Sequence, residues 1–238
     1  MKTQLIDYKD KDFVMEGFVA IGEGSLEKQP LVLIVHDWSG NNEFVQDKAR
    51  YFAKQGFIAF AVDLYGKGKR GSDTDKSINQ ALLNELMQDR GTIVTRLQAA
   101  LDCALGISKV DLSKVLAIGF CLGGLCVLDF ARSGAALSGV VSVHGLLHPP
   151  EASNKTIKAK VLVLHGNKDQ MVSRQQVAAF SNEMTMANVD WQVHVFGNTQ
   201  HAFTNPKAND PVAGLVYSPS ANSRTWALVR NFTDELFS

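Results

Sequence analysis

Uninterrupted apolar runs alternate with amphipathic stretches along nearly the whole chain. The strand candidates are 3–8, 13–21, LVLIVH (31–36), FIAFAVD (57–63), VLAIGF (115–120), GVVSVH (139–144), VLVLHG (161–166) and WQVHVF (191–196). The first two contain polar interruptions, which favours an antiparallel hairpin at the edge of a sheet. The later runs are almost continuous in valine, isoleucine and leucine, which is typical of parallel strands covered on both faces.

Between these runs, apolar residues recur at the spacing of an α-helix. The helix candidates are 43–56, 76–105, 173–186 and 222–237. The stretch 76–105 predicts one helix of about seven to eight turns, with a bend at Gly91. Strands alternating with helices predict an α/β protein in which helices pack on both faces of a mostly parallel sheet. No linker interrupts the pattern, so we expect residues 1–238 to form a single domain.

Composition excludes several classes of partner. Lys and Arg total 24 and Asp and Glu total 24, so no overall positive field would attract nucleic acid or an anionic membrane. The N-terminal residues lack the apolar core of a secretory signal, and no stretch approaches the roughly 18 apolar residues of a membrane span. Three cysteines, Cys103, Cys121 and Cys126, give an odd number without a C-x-x-C pair. We therefore expect free thiols and a cytoplasmic location.

One cysteine stands where a strand gives way to a helix. Residues 119–123, Gly-Phe-Cys-Leu-Gly, fit the G-x-nucleophile-x-G turn that lifts a nucleophile above the sheet. The predicted helix that follows directs its N-terminal N–H groups at Cys121, which favours the thiolate. The alternative is that Cys121 is a small buried apolar residue, as free cysteines often are.

Two later residues favour the nucleophile. This type of turn predicts an acid and then a histidine, each in a loop after a later strand. Asp169 follows the strand candidate 161–166, and His201 follows 191–196. Alone, Asp169 could be a turn residue and His201 a structural loop histidine. Their order and strand context together predict a Cys121–Asp169–His201 catalytic triad.

The loop after the strand candidate 31–36 is expected to complete an oxyanion hole. The backbone N–H groups of Trp38 and Leu122 would bracket the carbonyl oxygen, where charge develops in the tetrahedral intermediate. His36 and Asp37 could instead form a second catalytic pair. We consider that pair weaker, since neither residue lies in a loop after the nucleophile.

Two further motifs do not indicate a cofactor. Residues 66–71, GKGKRG, formally match a dinucleotide-binding fingerprint, but they do not lead directly into a helix, so a solvated loop is favoured. His144 and His148 are four residues apart, but they follow a strand and have no third ligand nearby in the sequence. The sequence therefore predicts neither a metal nor an organic cofactor.

At this point the sequence resembles the dienelactone hydrolase family of α/β-hydrolases. The resemblance rests on GFCLGG around Cys121, HGNKD ending in Asp169, HAF beginning at His201, VHDWSG after the third strand and DLYGKG after the fourth. It implies an α/β-hydrolase fold with an eight-stranded, mostly parallel sheet and helices on both faces. It also implies a Cys–Asp–His triad, hydrolysis of carboxylic esters or lactones, and no cofactor.

The sequence departs from this family at substrate-binding positions. Members that open dienelactone have a glutamate that hydrogen-bonds the resting thiol, where this chain has Asp37. An arginine soon after DLY is replaced by Lys67, with Lys69 and Arg70 nearby, and a second arginine is replaced by Asn205. Asp37, Lys67, Arg70 and Asn205 are therefore the candidate substrate-binding residues. The loss of bidentate guanidinium groups predicts a weaker preference for anionic lactones.

The favoured hypothesis is an enzyme that hydrolyses small-molecule esters or lactones through a thioester on Cys121. The first alternative is a non-catalytic binding or scaffold protein that retains the fold. The second is a thiol-based peptidase or acyltransferase that uses the same triad. The sequence leaves the natural substrate and the oligomeric state open.

Overall fold

An eight-stranded sheet dominates the computed structural model, which describes residues 1–23, 27–151 and 156–238. The strands are β1 (Lys2–Asp10), β2 (Phe13–Ile21), β3 (Gln29–Val35), β4 (Ile58–Val62), β5 (Val110–Phe120), β6 (Gly139–Val143), β7 (Lys160–Gly166), β8 (Trp191–Phe196) and the short β9 (Asn209–Asp210) and β10 (Leu215–Val216). Their order in the sheet is β1-β2-β4-β3-β5-β6-β7-β8, and β9 pairs with β10 separately. β2 is antiparallel to β1 and β4, whereas β3–β4, β6–β7 and β7–β8 are parallel pairs. The mostly parallel sheet and its edge hairpin are confirmed.

Six helices lie among the described residues. They are α1 (Glu43–Lys54), α2 (Lys76–Met87), α3 (Arg90–Leu105), α4 (Leu122–Arg132), α5 (Arg174–Met186) and α6 (Pro219–Phe237). The prediction of one bent helix over 76–105 is wrong, because two helices occupy this stretch. The Asp89 carboxylate accepts hydrogen bonds from the Gly91 N–H (2.8 Å) and the Thr92 hydroxyl (2.9 Å), and so begins a new helix.

The described residues divide into two compact units, Met1–Ile118 and Gly119–Ser238. That the chain forms one domain therefore stays a prediction. In the first unit the parallel pair β3–β4 is buried almost throughout, and α1 buries an apolar face that includes Val45 and Phe52. This burial explains why the sequences of both strands are continuously apolar.

The second unit holds the predicted triad residues and is built around β6, β7 and β8. Every residue of β6 and of α4 is buried, so neither element shows an alternation of polar and apolar positions. β8 is more exposed than β7, because no strand is paired with its outer edge in the described sheet. None of the described helices combines the length and hydropathy needed to span a membrane.

Candidate active site

Cys121 occupies a sharp turn between β5 and α4. Its φ of +53° lies in the left-handed region, which costs a residue with a side chain about 1–3 kcal/mol. Gly119 permits the end of β5 to approach the start of α4 closely, because a Cβ on Gly119 would collide with the backbone of Gly123. A Cβ on Gly124 would lie 2.6 Å from Cα of Gly145. The geometry of the turn therefore requires glycine at position 119 of the motif and at position 124 just after it.

Asp169 lies in the turn after β7 and holds the ring of His201. Its Oδ2 is 2.7 Å from Nδ1 of His201, and its Oδ1 accepts the backbone N–H groups of Met171 (2.8 Å) and Val172 (3.2 Å). The Asp169 N–H donates to the Gly166 carbonyl at 3.0 Å, which closes the turn. Both oxygens of the carboxylate are therefore fixed, and the imidazole is held in one orientation.

A small hairpin holds the backbone of His201. The His201 N–H donates to the Gly214 carbonyl (2.9 Å), and the Val216 N–H donates to the His201 carbonyl (3.0 Å). This hairpin, β9–β10, was missed by the sequence pattern because two-residue strands carry no periodicity. His201 itself is 1% exposed, so its ring is removed from bulk solvent.

Cys121, His201 and Asp169 influence one another's protonation. Burial by itself lowers the pKa of His201, but interactions with Cys121 and then with Asp169 raise it to about 10. Burial by itself raises the pKa of Asp169, but the hydrogen bond and charge interaction with His201, together with the Met171 N–H hydrogen bond, leave that pKa below its usual range. Nε2 of His201 is buried and makes no hydrogen bond to nitrogen or oxygen within the described part of the chain. The imidazole thus has one nitrogen occupied by Asp169 and the other available for chemistry beside Cys121.

One predicted oxyanion donor, Leu122, begins α4, and the other, Trp38, lies in the loop after β3. Leu122 is the first residue of α4, so its N–H has no carbonyl partner within the helix. Trp38 lies in the loop after β3, where its carbonyl accepts the hydroxyl of Tyr65 at 3.1 Å. This bond fixes the peptide that follows Trp38. The role of both N–H groups at an oxyanion stays a prediction.

His36 and Asp37 are engaged in holding the backbone of the first unit. Nδ1 of His36 is 2.6 Å from the carbonyl of Asp37, and Nε2 accepts the N–H of Leu64 at 3.1 Å. One oxygen of the Asp37 carboxylate accepts the Ser39 N–H at 2.8 Å. Both nitrogens of His36 are therefore used in structural hydrogen bonds, which does not favour a second catalytic pair.

The predicted cationic substrate residues are already close to carboxylates. Nζ of Lys67 is 2.5 Å from Asp7 and 3.7 Å from Glu16, and the hydrogen bond with Asp7 raises the pKa of Lys67. The Arg70 guanidinium lies 3.6 Å from Asp63 and 3.7 Å from Glu16. A substrate carboxylate would compete with these protein carboxylates for both cations.

Asn205 is placed in the turn that follows His201. Its N–H donates to the carbonyl of Ala202 (2.9 Å), and its Oδ1 accepts the N–H of Lys207 (3.0 Å). The side-chain oxygen therefore stabilises the local turn. Binding of substrate by Asn205 stays a prediction.

Sequence reasoning missed a second histidine beside Cys121. The Cys121 N–H donates to Nδ1 of His144 at 3.2 Å, and Nε2 of His144 lies 2.9 Å from the hydroxyl of Thr204. The position of His144 at the end of β6, beside the strand that carries the nucleophile, was the available signal. Its spacing to His148 drew attention to metal binding instead.

Comparison with known proteins agrees with the fold and shows the family of the chain. The model of the dienelactone hydrolase family matches residues 15–237. A curated protein of Aquifex aeolicus, provisionally named a carboxymethylenebutenolidase, is 28% identical over 237 residues, which cover 96% of each chain. A Caenorhabditis elegans protein without an assigned activity is 36% identical over 151 residues, or 62% of this chain and 96% of its own length.

Solved structures show the same relationship over the full chain. A dienelactone hydrolase-like promiscuous phosphotriesterase from metagenomic libraries is 35% identical, with a TM-score of 0.94 and coverage of 100% of this chain and 99% of its own. Est1E of Butyrivibrio proteoclasticus shares only the fold, at 14% identity, a TM-score of 0.66 and 98% coverage of both chains. The chain therefore belongs to the dienelactone hydrolase family and is a carboxylic ester hydrolase with the α/β-hydrolase fold.

Proposed function

We propose that the chain hydrolyses small-molecule carboxylic esters or lactones by covalent catalysis, with Cys121 as nucleophile, His201 as acid and base, and Asp169 as the group that orients His201. The observation that carries this proposal is the state of the His201 ring. Nδ1 is bound by Asp169 at 2.7 Å, while the buried Nε2 has no nitrogen or oxygen partner among the described residues. Cys121 is the neighbour that most raises the pKa of His201.

The first half-reaction forms a thioester. The Cys121 thiolate attacks the carbonyl carbon, a C–S bond forms, and the carbonyl electron pair moves onto oxygen. As the tetrahedral intermediate collapses, the C–O bond to the leaving group breaks. His201, protonated at Nε2, gives its proton to the departing alkoxide, which leaves as an alcohol. For a lactone, the alcohol remains part of the acyl group.

The second half-reaction restores the enzyme. The now neutral Nε2 of His201 takes a proton from water while the water oxygen attacks the thioester carbon. The C–S bond breaks, the carboxylic acid is released, and Cys121 leaves as a thiolate beside the imidazolium. Asp169 stabilises that imidazolium and keeps the proton on Nδ1 in both halves.

Two backbone N–H groups are proposed to stabilise the oxyanion of the tetrahedral intermediate in each half-reaction. The N–H of Leu122 is supported by its position at the first turn of α4, where the partial positive charge of the helix is greatest. The N–H of Trp38 is proposed as the second donor on the family resemblance. Donors of this kind typically contribute about 10²–10³ in kcat each.

We propose that the preferred substrate is neutral, or that any anionic group it carries contributes little to its binding. Lys67 and Arg70 already lie near protein carboxylates, and neither Lys67 nor Asn205 provides the bidentate guanidinium of the family's anion-binding arginines. Asp37 is proposed as a substrate-binding residue, at the position of the family's glutamate. The free thiols Cys103, Cys121 and Cys126 support a cytoplasmic location.

Phosphotriesters are a second candidate substrate class. The structure that is 35% identical over the full chain carries the description of a promiscuous phosphotriesterase. A thiolate with adjacent N–H donors could also attack tetrahedral phosphorus, forming a P–S bond as the P–O bond to the leaving group breaks, with His201 protonating that group. Water activated by His201 would then break the P–S bond, release the phosphodiester and restore the thiolate. Paraoxon should therefore be assayed beside the carboxylic esters.

Kinetics of active-site variants test the proposal. Hydrolysis of p-nitrophenyl acetate and butyrate should fall by at least about 10³-fold in kcat for Cys121→Ala and for His201→Ala, because the members of a triad act as a unit. Cys103→Ala is the matched control, since Cys103 is a half-buried thiol on α3, and it should retain wild-type kcat. Turnover by Cys121→Ala at the wild-type rate would overturn the assignment.

A further inference from the structure

A buried histidine connects the turn of Cys121 to the loop of His201. His144 follows β6 directly, is 2% exposed and has a φ of +39°. Its Nδ1 lies 3.2 Å from the N–H of Cys121, which is also shared with the Val143 carbonyl at 3.1 Å. Its Nε2 lies 2.9 Å from the hydroxyl of Thr204, which is fully buried.

These contacts determine the tautomer of His144. Nδ1 accepts a hydrogen bond from a backbone N–H, so Nδ1 carries no proton. The ring proton must then be on Nε2, where it donates to the Thr204 hydroxyl. The neutral imidazole is the form that makes both bonds, since a proton on Nδ1 would face the N–H of Cys121.

One end of this connection is the proposed nucleophile, and the other lies on the loop that carries the proposed base. Cys121 is the nucleophile, and Thr204 follows His201 by three residues on the same loop. The His144 ring also contacts the His201 ring, with centroids 5.1 Å apart, and packs edge-on against Phe203 at 4.9 Å. A displacement of His144 would therefore reach both the nucleophile and the base.

We propose that His144 is a positioning residue, which through its bonds to the Cys121 N–H and the Thr204 hydroxyl holds Sγ of Cys121 and Nε2 of His201 in reactive alignment. This inference rests on the proposed function of Cys121 and His201. Its energetic basis is that a misplacement of about 1 Å between reacting groups can lower a rate by about 10²-fold. His144 makes no proton transfer itself, because both of its nitrogens are occupied.

Metal binding is the competing role for His144. Among the described residues, no group of three or more histidine, cysteine, aspartate or glutamate side chains is arranged to hold a metal ion. The two hydrogen bonds of His144 also direct its nitrogens at protein groups. Both ring nitrogens therefore hold protein groups in place, as the positioning role requires, and neither is available to a metal ion.

Substitutions at Thr204 test the connection without changing the ring. Thr204→Val removes the acceptor for Nε2–H at constant volume, and kcat for p-nitrophenyl butyrate should fall by about tenfold or more, with KM within about twofold of wild type. Thr204→Ser keeps the hydroxyl and should restore most of kcat. Thr233→Val is the matched control, because the Thr233 hydroxyl donates to the Arg230 carbonyl within α6, and kcat should be unchanged.

A double-mutant cycle tests the role of His144. In His144→Asn, the amide oxygen can replace Nδ1 as acceptor for the Cys121 N–H, and asparagine tolerates the left-handed backbone. The contact to Thr204 is lost in this variant, so adding Thr204→Val to H144N should cost little further activity. Urea unfolding of each variant establishes that it is folded under the assay conditions.

The outcomes separate this inference from the proposed function. If wild type hydrolyses the ester and Cys121→Ala does not, the proposed function holds. Wild-type kcat in Thr204→Val, equal losses in Thr204→Val and Thr233→Val, or additive effects in the cycle would then overturn the positioning role alone. Equal turnover by wild type and Cys121→Ala would overturn the proposed function and this inference together.

Discussion

At the scale of single residues, His201 shows most clearly how burial and charge compete. A buried imidazole without charged neighbours would remain neutral, because burial disfavours its cation. In this chain Cys121 and Asp169 reverse that preference and raise the His201 pKa to about 10. The ring is thus prepared to exist as an imidazolium when the substrate arrives, and it can then protonate the leaving group.

The protonation of His201 can be measured by NMR. We expect the folded-state pKa of His201 to lie near 10 and to fall in Cys121→Ala, because Cys121 is the largest of the influences that raise it. Because the folded pKa exceeds the ordinary value of about 6.5, this group stabilises the fold fully below about pH 6.5 and loses that contribution as pH rises through about 10. A His201 pKa that is the same in both proteins would contradict the thiolate–imidazolium pair.

At the scale of elements, the strand–turn–helix around Cys121 places the nucleophile. Gly119 and Gly124 allow three backbone segments to approach one another more closely than a Cβ would permit. The turn therefore depends on residues that take no part in the chemistry. Its strain is supported by the burial of residues 115–120 at the end of β5 and of all of α4 after the turn.

Gly119→Ala should disrupt this turn. Its Cβ would overlap the Gly123 backbone, so we expect a loss of about 1–3 kcal/mol in the free energy of unfolding and a larger relative loss of esterase activity. Gly197→Ala is the control, since a Cβ there meets nothing within 4 Å and should change stability by no more than about 0.5 kcal/mol. Urea unfolding and ester kinetics measure both effects. Wild-type behaviour of Gly119→Ala would contradict this account of the turn.

The sequence was most informative where a feature depends on local residues. The G-x-C-x-G turn and the apolar strands are local patterns, and the structure contains both. The division between α2 and α3 was missed because the cap at Asp89 interrupts the backbone without interrupting the apolar periodicity. His144 was missed as a partner of Cys121 because only the pairing of distant segments brings its ring to the Cys121 N–H.

At the scale of the whole molecule, the charge distribution provides little electrostatic attraction for an anionic substrate. The chain has 24 basic and 24 acidic residues, so its net charge provides no general attraction for anions. The local cations also have partners, since Lys67 lies near Asp7 and Glu16, and Arg70 lies near Asp63 and Glu16. Recognition of the acyl group is therefore expected to depend more on the carbonyl than on a remote carboxylate.

Substrate profiling tests this expectation. The kcat/KM for dienelactone should exceed that for neutral short-chain esters by no more than about tenfold, because Lys67 and Asn205 cannot make the bidentate contacts of the family's two arginines. Asn205→Arg should shift the ratio toward the anionic lactone by adding a guanidinium. A preference of wild type for dienelactone by several orders of magnitude would contradict the prediction.

The central claim is that catalysis passes through an acyl group on the sulfur of Cys121. The most direct test is to mix the enzyme with p-nitrophenyl butyrate, stop the reaction in acid during turnover, and locate the butyryl group by peptide mass spectrometry. The account predicts butyryl on the peptide containing Cys121, removable by neutral hydroxylamine as a thioester, and absent from Cys121→Ala. Sustained turnover with the butyryl group on another residue, or undiminished turnover in Cys121→Ala, would contradict it.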